Sequence, residues 1–401
     1  MPNGWPLAPP HPNHEIDRTM TNAFTPIEIL RPTILEFGNG TITAAARFAE
    51  RTGAKRPLVI SDAFNARRID MLALPGAVKV FGDVKPEPDL PNLEKAVAMA
   101  REAKPDLVVG FGGGSAMDLA KLVAVLCTSD VAFADIVGPE KVAGRSVALM
   151  QIPTTSGTGS EAGTRALVTD PVSQNKQAVQ SRFMLADIAI VDPDLTMTVP
   201  KEVTAATGVD ALAHCVEAYT SRKAHPTIDL YALEGARLVG RYLKRAVADG
   251  GDREARAGLA LASLYGGYCL GPVNTTAGHA VAYPLGTRHH VAHGLACAVI
   301  FPHTLAFNMP AVEAKTRAVL QALGLPEQGD AKRAFDATYE FCRDLGIEMR
   351  LSALGVPKDD LGVMADEAHA IRRPARQQPA RSRPGCDPRD VRGRVLGSVP
   401  K

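Results

Sequence analysis

The chain mixes two hydrophobic periodicities up to about residue 200 and keeps only one beyond it. Short apolar runs at Pro57–Ser61 (PLVIS), Val78–Phe81, Leu107–Gly110, Val147–Ile152 and Ile188–Val191 read as strands. Between them, Leu93–Ala103 is amphipathic at helical spacing, with Asn92 placed to cap its start. Ala116–Leu126 follows a glycine-rich turn as a further helix. Strands alternating with helices predict a parallel sheet covered on both faces. Past Pro200 strand signals fade, and 203–221, 226–247, 253–270, 294–307, 311–323 and 331–346 all read as helices. The pattern therefore predicts an α/β N-terminal domain over 25–200 and an all-α C-terminal domain over 201–371, with a ligand cleft between them.

The ends break this pattern. Residues 1–24 are rich in Pro and polar residues, lack the apolar centre of a secretion signal, and read as a disordered lead. Recognisable pattern begins only after Met20, itself a candidate start. Residues 372–401 form a basic, proline-rich tail with little helical pattern.

Composition narrows the classes. At 401 residues and 46% hydrophobic, the chain can bury a full core. A net charge of +2 offers no basic stripe for nucleic acid. No apolar run reads as a membrane span. The six cysteines form no CxxC pair, which fits the reduced thiols of a cytoplasm.

Histidines carry the candidate chemistry. His279 sits in a Gly/Ala-rich segment, Pro284 and Gly286 are expected to break the chain, and His293 precedes an apolar run. Asp210 and His214 lie four apart in an alanine-rich helical stretch, hence one above the other on one face. Together the four make an N3O set suited to Fe2+ or Zn2+, whereas Ca2+ or Mg2+ would want more oxygen. On spacing alone, Asp210–His214 reads equally as a surface helix pair, and a lone buried histidine more often as a core residue. Cys215, beside His214 but off that face, reads as packing.

Two loops suit a phosphate. Gly112-Gly113-Gly114-Ser115 leads from a strand into a helix, although it is not GxGxxG. Its glycines let the backbone approach an anion, and the helix points free N–H groups at it. Pro153–Glu161 (PTTSGTGSE) follows another strand with hydroxyls and glycines. Either loop alone also reads as a surface turn. Asp62 closes PLVIS, where a carboxylate can bond a ribose 2′-hydroxyl and repel a 2′-phosphate, favouring NAD over NADP. Arg67 and Arg68 stand close enough to offset that preference, and N-capping is the plainer role for Asp62.

With GGGSAMDLAK (112–121), PTTSGTGSE (153–161), DIAIVDP (187–193), GVDALAHCVEAY (208–219) and the His-rich stretch 279–293, the chain resembles the iron-containing, metal-dependent alcohol dehydrogenases over roughly residues 25–371. The resemblance implies a dinucleotide-binding α/β domain followed by a helical metal-binding one, a dehydroquinate synthase-like architecture. It implies metal ligands at Asp210, His214, His279 and His293. NAD contacts are implied at Asp62, within Gly112–Ser115 (Gly113, Gly114 and Ser115 above all), and at Thr154 and Thr155. Lys176 and the segment beginning at Leu195 are implied to add to them, and Asp118 is a family position whose role here reads as structural. The implied activity is NAD(P)-linked interconversion of a small alcohol and its aldehyde or ketone, by a cytoplasmic homodimer.

Three departures stand out. Where many members carry a further histidine four residues after the first metal histidine of this stretch, the chain has Tyr283. A phenol can relay a proton, but its ordinary pKa near ~10 makes it a poorer base. Tyr283, His289 and His290 are thus the candidates for proton transfer; for the two histidines a solvated turn is the equal alternative. Where many members have PNP, the chain has Pro86-Glu87-Pro88. Third, the family ordinarily closes with a helical segment where the basic tail lies. The codons for 374–382, read one base later, can spell Leu-Leu-Asp-Asn-Asn-Pro-Arg-Asp-Leu, so a frameshifted tail is one expectation. His303 reads as a helix residue. Leu270 and Tyr268 are candidates for an apolar pocket or for plain core. The alternatives are a maleylacetate-type oxo-acid reductase, a dehydroquinate synthase-like lyase, and an inactive metal- and NAD-binding relative.

Overall fold

The computed structural model describes residues 24–173, 175–371 and 378–379. The lead up to residue 23 and most of the tail, with the frameshift reading, lie outside the described residues. The first half runs β1 (Ile34–Phe37), α1 (Ala44–Thr52), β2 (Pro57–Ser61), β3 (Lys79–Phe81), α2 (Leu90–Ala103), β4 (Leu107–Gly112), α3 (Gly114–Leu126), α4 (Phe133–Ile136), β5 (Gly138–Pro139), β6 (Ala148–Pro153), β7 (Arg165–Asp170), β8 (Asn175–Gln180) and β9 (Ile188–Val191). The second half is helical: α5 (Lys201–Thr220), α6 (Pro226–Ala248), α7 (Arg253–Leu270), α8 (Ala277–His289), α9 (His293–Asn308), α10 (Glu313–Ala322), α11 (Ala331–Asp344) and α12 (Leu361–Ala370).

The main sheet has the order β1-β9-β6-β4-β2-β3, and every pairing in it is parallel. All residues of β2 and β4 are buried, as apolar strands covered on both faces should be. Leu58 and Ile60 pack against Leu93 of α2 and Leu119 of α3, while Val59 joins Ala45 and Phe48 of α1 on the opposite face. From β2 the chain moves outward to β3, then returns to β4 on the other side of β2. That reversal opens a crevice at the carboxyl ends of β2 and β4, the place where open parallel sheets bind ligands.

Several local expectations are corrected. α2 starts at Leu90, not Leu93, because Asp89 caps it: its carboxylate accepts the N–H of Asn92. Asn92 lies buried inside the first turn, donating to Asp83 O and accepting from Lys85 N. The sequence pattern also missed a small sheet, β5-β8-β7, in which β7 and β8 are antiparallel. Polar residues such as Lys176 and Gln177 obscure alternation there.

In the second half α5 is buried on nearly every side, packed by α6, α7 and α9. α8 continues through Pro284 instead of breaking. A proline inside a helix forfeits one hydrogen bond at a cost of about 3 kcal/mol; here Ala280, Ala282, Tyr283 and Leu285 are buried against α9 and α12, which offsets it. His293–Ala311 is long and apolar enough to cross a membrane by length and composition alone. Most of this stretch is buried inside the protein, as befits a core helix that is hydrophobic all round. Gln378 returns to this half: its side chain accepts from Ala277 N at the start of α8 and donates to Asn308 at the end of α9.

Candidate active site

One turn of α5 separates Asp210 and His214, and both are buried, at 1% and 5% exposure. α8 brings His279 to the same point from its first turn, and α9 opens with His293. The Nε2 atoms of His279, His293 and His214 lie 3.4, 3.6 and 3.8 Å from Asp210 Oδ1. The His214 and His279 rings stack at 4.6 Å. Neither Asp210 Oδ1 nor His279 Nε2 has a hydrogen-bond partner, although both are buried. Orphaned buried polar atoms are costly unless something fills the space between them. One carboxylate oxygen ringed by three imidazole nitrogens is a donor set that fits a divalent first-row ion.

Electrostatics keep Asp210, His214 and His293 in ligating form, whereas burial opposes charge on His279 but Cys297, Glu217 and Asp210 outweigh it and hold that imidazole well above the ordinary histidine value. Burial opposes charge on Asp210, but His214, His293 and His279 outweigh it and hold the carboxyl well below its ordinary range. Burial lowers His293 to about 3, with Lys176 adding to the shift against Asp210, and burial likewise lowers His214. As neutral imidazoles, His214 and His293 offer a free lone pair at neutral pH, while His279 must give up its Nε2 proton to do the same.

Glu217, one further turn along α5, is a functional residue that the sequence reading missed. Its Oε1 lies 2.6 Å from His279 Nδ1, which fixes the tautomer and leaves Nε2 to face Asp210. Its Oε2 accepts from Thr276 N and Oγ1 and from His279 N, at the N-terminus of α8. Burial works against this carboxylate, yet His279 and the Thr276 donors hold it below the ordinary glutamate value. The spacing Asp210, His214, Glu217 traces one helix face and was a usable signal.

A cleft of about 810 Å³ runs from this cluster to the crevice of the sheet. Asp62, Gly113, Gly114, Ser115, Thr154, Thr155, Lys176 and Tyr283 all line it. Gly113 and Gly114 form the start of α3, whose free N–H groups face the cleft. Gly112 does not line the cleft; at φ +155°, an added Cβ would meet Ala116 Cβ at 2.9 Å and Asp62 Oδ2 at 3.0 Å. Asp62 accepts from Phe64 N, Asn65 N and Asn65 Nδ2, so it does cap the following 3-10 turn while lining the cleft. Asn65, unnoticed in the sequence, also donates to Thr154 and so ties the turn after β2 to the loop that begins at Pro153. Arg67 and Arg68 do not line the cleft. Lys176 pairs with Glu87 at 3.1 Å and sits 5.5 Å from the Tyr283 ring centroid, and Tyr283 stacks on His293 at 5.8 Å.

Known proteins match most of this chain. The family described as iron-containing alcohol dehydrogenase matches residues 32–193, and the C-terminal part of the Fe-containing alcohol dehydrogenase family matches 204–382. The long-chain-alcohol dehydrogenase 1 of Geobacillus thermodenitrificans is 39% identical over 355 residues, covering 85% of this chain and 89% of that protein. The chain belongs to the iron-containing alcohol dehydrogenases. It is thus an iron-type alcohol dehydrogenase, an NAD(P)-linked oxidoreductase of alcohols. A 1,3-propanediol oxidoreductase structure superposes with a TM-score of 0.88 at 29% identity, covering 93% of this chain and all of that one. Sulfoacetaldehyde reductase from Bifidobacterium kashiwanohense, solved in complex with NAD+, gives 0.82 at 27% identity, covering 93% and 98%.

Other residues singled out in the dehydrogenase's sequence lie elsewhere. His289 faces Asp360 at 3.3 Å and His290 is an exposed cap of α8 at φ +54°; neither lines the cleft. Ten residues of helix put His289 about 15 Å along the axis from His279, which is why proximity in sequence misled. Leu195 is also absent from the lining, buried with Ile190 and Phe48 in the core. Asp118 borders the cleft, but its carboxylate accepts from Ser160, Leu167 N and the fully buried Lys121, a brace beneath the second loop. Leu270 lines the cleft, whereas Tyr268 packs with Tyr231 under Arg31. His303 is a buried helix residue beside Phe335.

Proposed function

We propose that Asp210, His214, His279 and His293 hold Fe2+, with Zn2+ the alternative, and that the substrate is a small alcohol or its aldehyde turned over with NAD in preference to NADP. The observation that carries this reading is the set of three imidazole nitrogens gathered on the orphaned oxygen of Asp210. The bound ion supplies Lewis acidity at the substrate oxygen, and the nicotinamide supplies the hydride acceptor.

The remaining work falls to the chain. The backbone N–H groups of Gly113–Ser115, at the α3 N-terminus, bind the pyrophosphate together with Thr154 and Thr155, and Asp62 binds the ribose 2′-hydroxyl. Glu217 orients His279. Leu270 and Ile347 line the cleft and add apolar surface that excludes water. Tyr283, stacked on His293, passes the hydroxyl proton onward through its phenol oxygen. Residues 25–200 and 201–371 act as two domains, one carrying the nucleotide and the other the ion. A cytoplasmic homodimer with no nucleic-acid or membrane partner completes the reading.

Chelated protein reloaded anaerobically with Fe2+ or Zn2+, and assayed for NADH with short alcohols beside NADP, tests this. Turnover returning with metal supports it. Equal turnover by metal-free protein sinks it.

A further inference from the structure

α9 presents two donors one turn apart, His293 and Cys297, in the same i, i+4 relation as Asp210 and His214 on α5. Cys297 is 3% exposed, and its Sγ lies 3.7 Å from Nε2 and 4.0 Å from Nδ1 of His293. One donor atom each from Asp210, His279, His293 and Cys297 all fall within 4.8 Å of one another. Two of those atoms, Asp210 Oδ1 and His279 Nε2, are buried without partners and face the same space. Other buried thiols are placed differently: Cys215 lies 3.9 Å from Ala262 O, and Cys127 3.9 Å from Ala124 O. Both contacts are with ordinary backbone carbonyls. Cys297 instead points its sulfur at the imidazoles of the candidate metal cluster.

We infer that Cys297 is a further donor to the bound ion. It binds as the thiolate, a metal–sulfur bond replacing the S–H bond while the proton leaves to solvent; nothing is oxidised or reduced. A sulfur donor draws the site toward thiophilic ions such as Zn2+ and Co2+, relative to the carboxylate and imidazoles alone. The inference rests on the proposed metal reading and adds a residue to it.

Cobalt substitution of the whole protein tests it without relying on turnover. Visible ligand-field bands report an occupied site, and a near-ultraviolet charge-transfer band reports a cobalt–sulfur bond. The wild type is expected to show both. Cys297→Ser and Cys297→Ala are expected to keep the visible bands, lose the near-ultraviolet band, and release one proton fewer on binding. Their preference for Zn2+ over Fe2+ is expected to fall about tenfold or more. Visible bands without a charge-transfer band in the wild type, or a band that survives in both variants, overturn the inference and leave the metal reading standing. No cobalt bound by elemental analysis overturns both. Cys215→Ser serves as the control and is expected to change neither band.

Discussion

The two ends of the cleft are built from opposite materials. At the sheet end the binding surface is largely backbone: glycines, the open start of α3, and hydroxyls on a loop. At the helical end the candidate ligands are side chains, one carboxylate and three imidazoles carried on packed helices. A backbone site is damaged by adding atoms, whereas a side-chain site is damaged by removing them.

The largest expected effect follows at the helical end. Asp210→Ala leaves the imidazoles without their shared oxygen, and metal should fall from stoichiometric to trace by elemental analysis, with activity lost. Glu217→Gln keeps every donor but weakens the acceptor that orients His279, so metal affinity should drop about 10–100-fold, read by chelator competition. Intact affinity in that variant would make Glu217 a helix cap only.

Gly112→Ala attacks the other end by addition. Its added Cβ meets two neighbours, and its backbone suits glycine alone. A cost of about 1–3 kcal/mol is expected, with weakened NAD binding by fluorescence titration and unchanged metal content. Loss of metal there would mean that the two ends are not separable.

A pH effect comes next. Burial lifts Glu161 from its ordinary 4.5 to about 7, against the pull of Lys121. The folded protein therefore keeps a proton that the unfolded chain has already released. Stability is complete below about 4.5 and declines as pH rises through 7, by ~3 kcal/mol. Glu161→Gln should flatten thermal melts between pH 5 and 8; an equally steep decline in the variant would exclude Glu161 as the cause. The smallest effect is at Glu87. Glu87→Gln frees Lys176 from its ion pair, and a change of no more than a few fold in KM for NAD is expected, with kcat unchanged.

The same contrast explains what the sequence made legible. Strands β2, β4, β6 and β9 were readable because they are apolar on both faces, and the helices of the second half other than α8 and α12 because their period is unbroken. Asp210 and His214 could be paired by counting along one helix. The convergence of His279 and His293 needed the family resemblance as well, since spacing alone left open whether either was a core residue. α8 was hidden because Pro284 and Gly286 carry breaker signals that tertiary burial overrides. Asn65 and Glu217 were missed for one reason: each acts through a partner far away in the chain or on another element. His289 and His290 failed conversely, since sequence closeness to His279 becomes distance once the helix forms.

Glu217 joins two jobs that are usually kept apart. Its two oxygens secure a ring nitrogen and the opening turn of the helix that carries that ring, so ligand geometry and local order share one fastening. Amide exchange over residues 276–283 is therefore a gauge of how firmly the ion is held, and it should quicken on chelation while the central strands keep their protection.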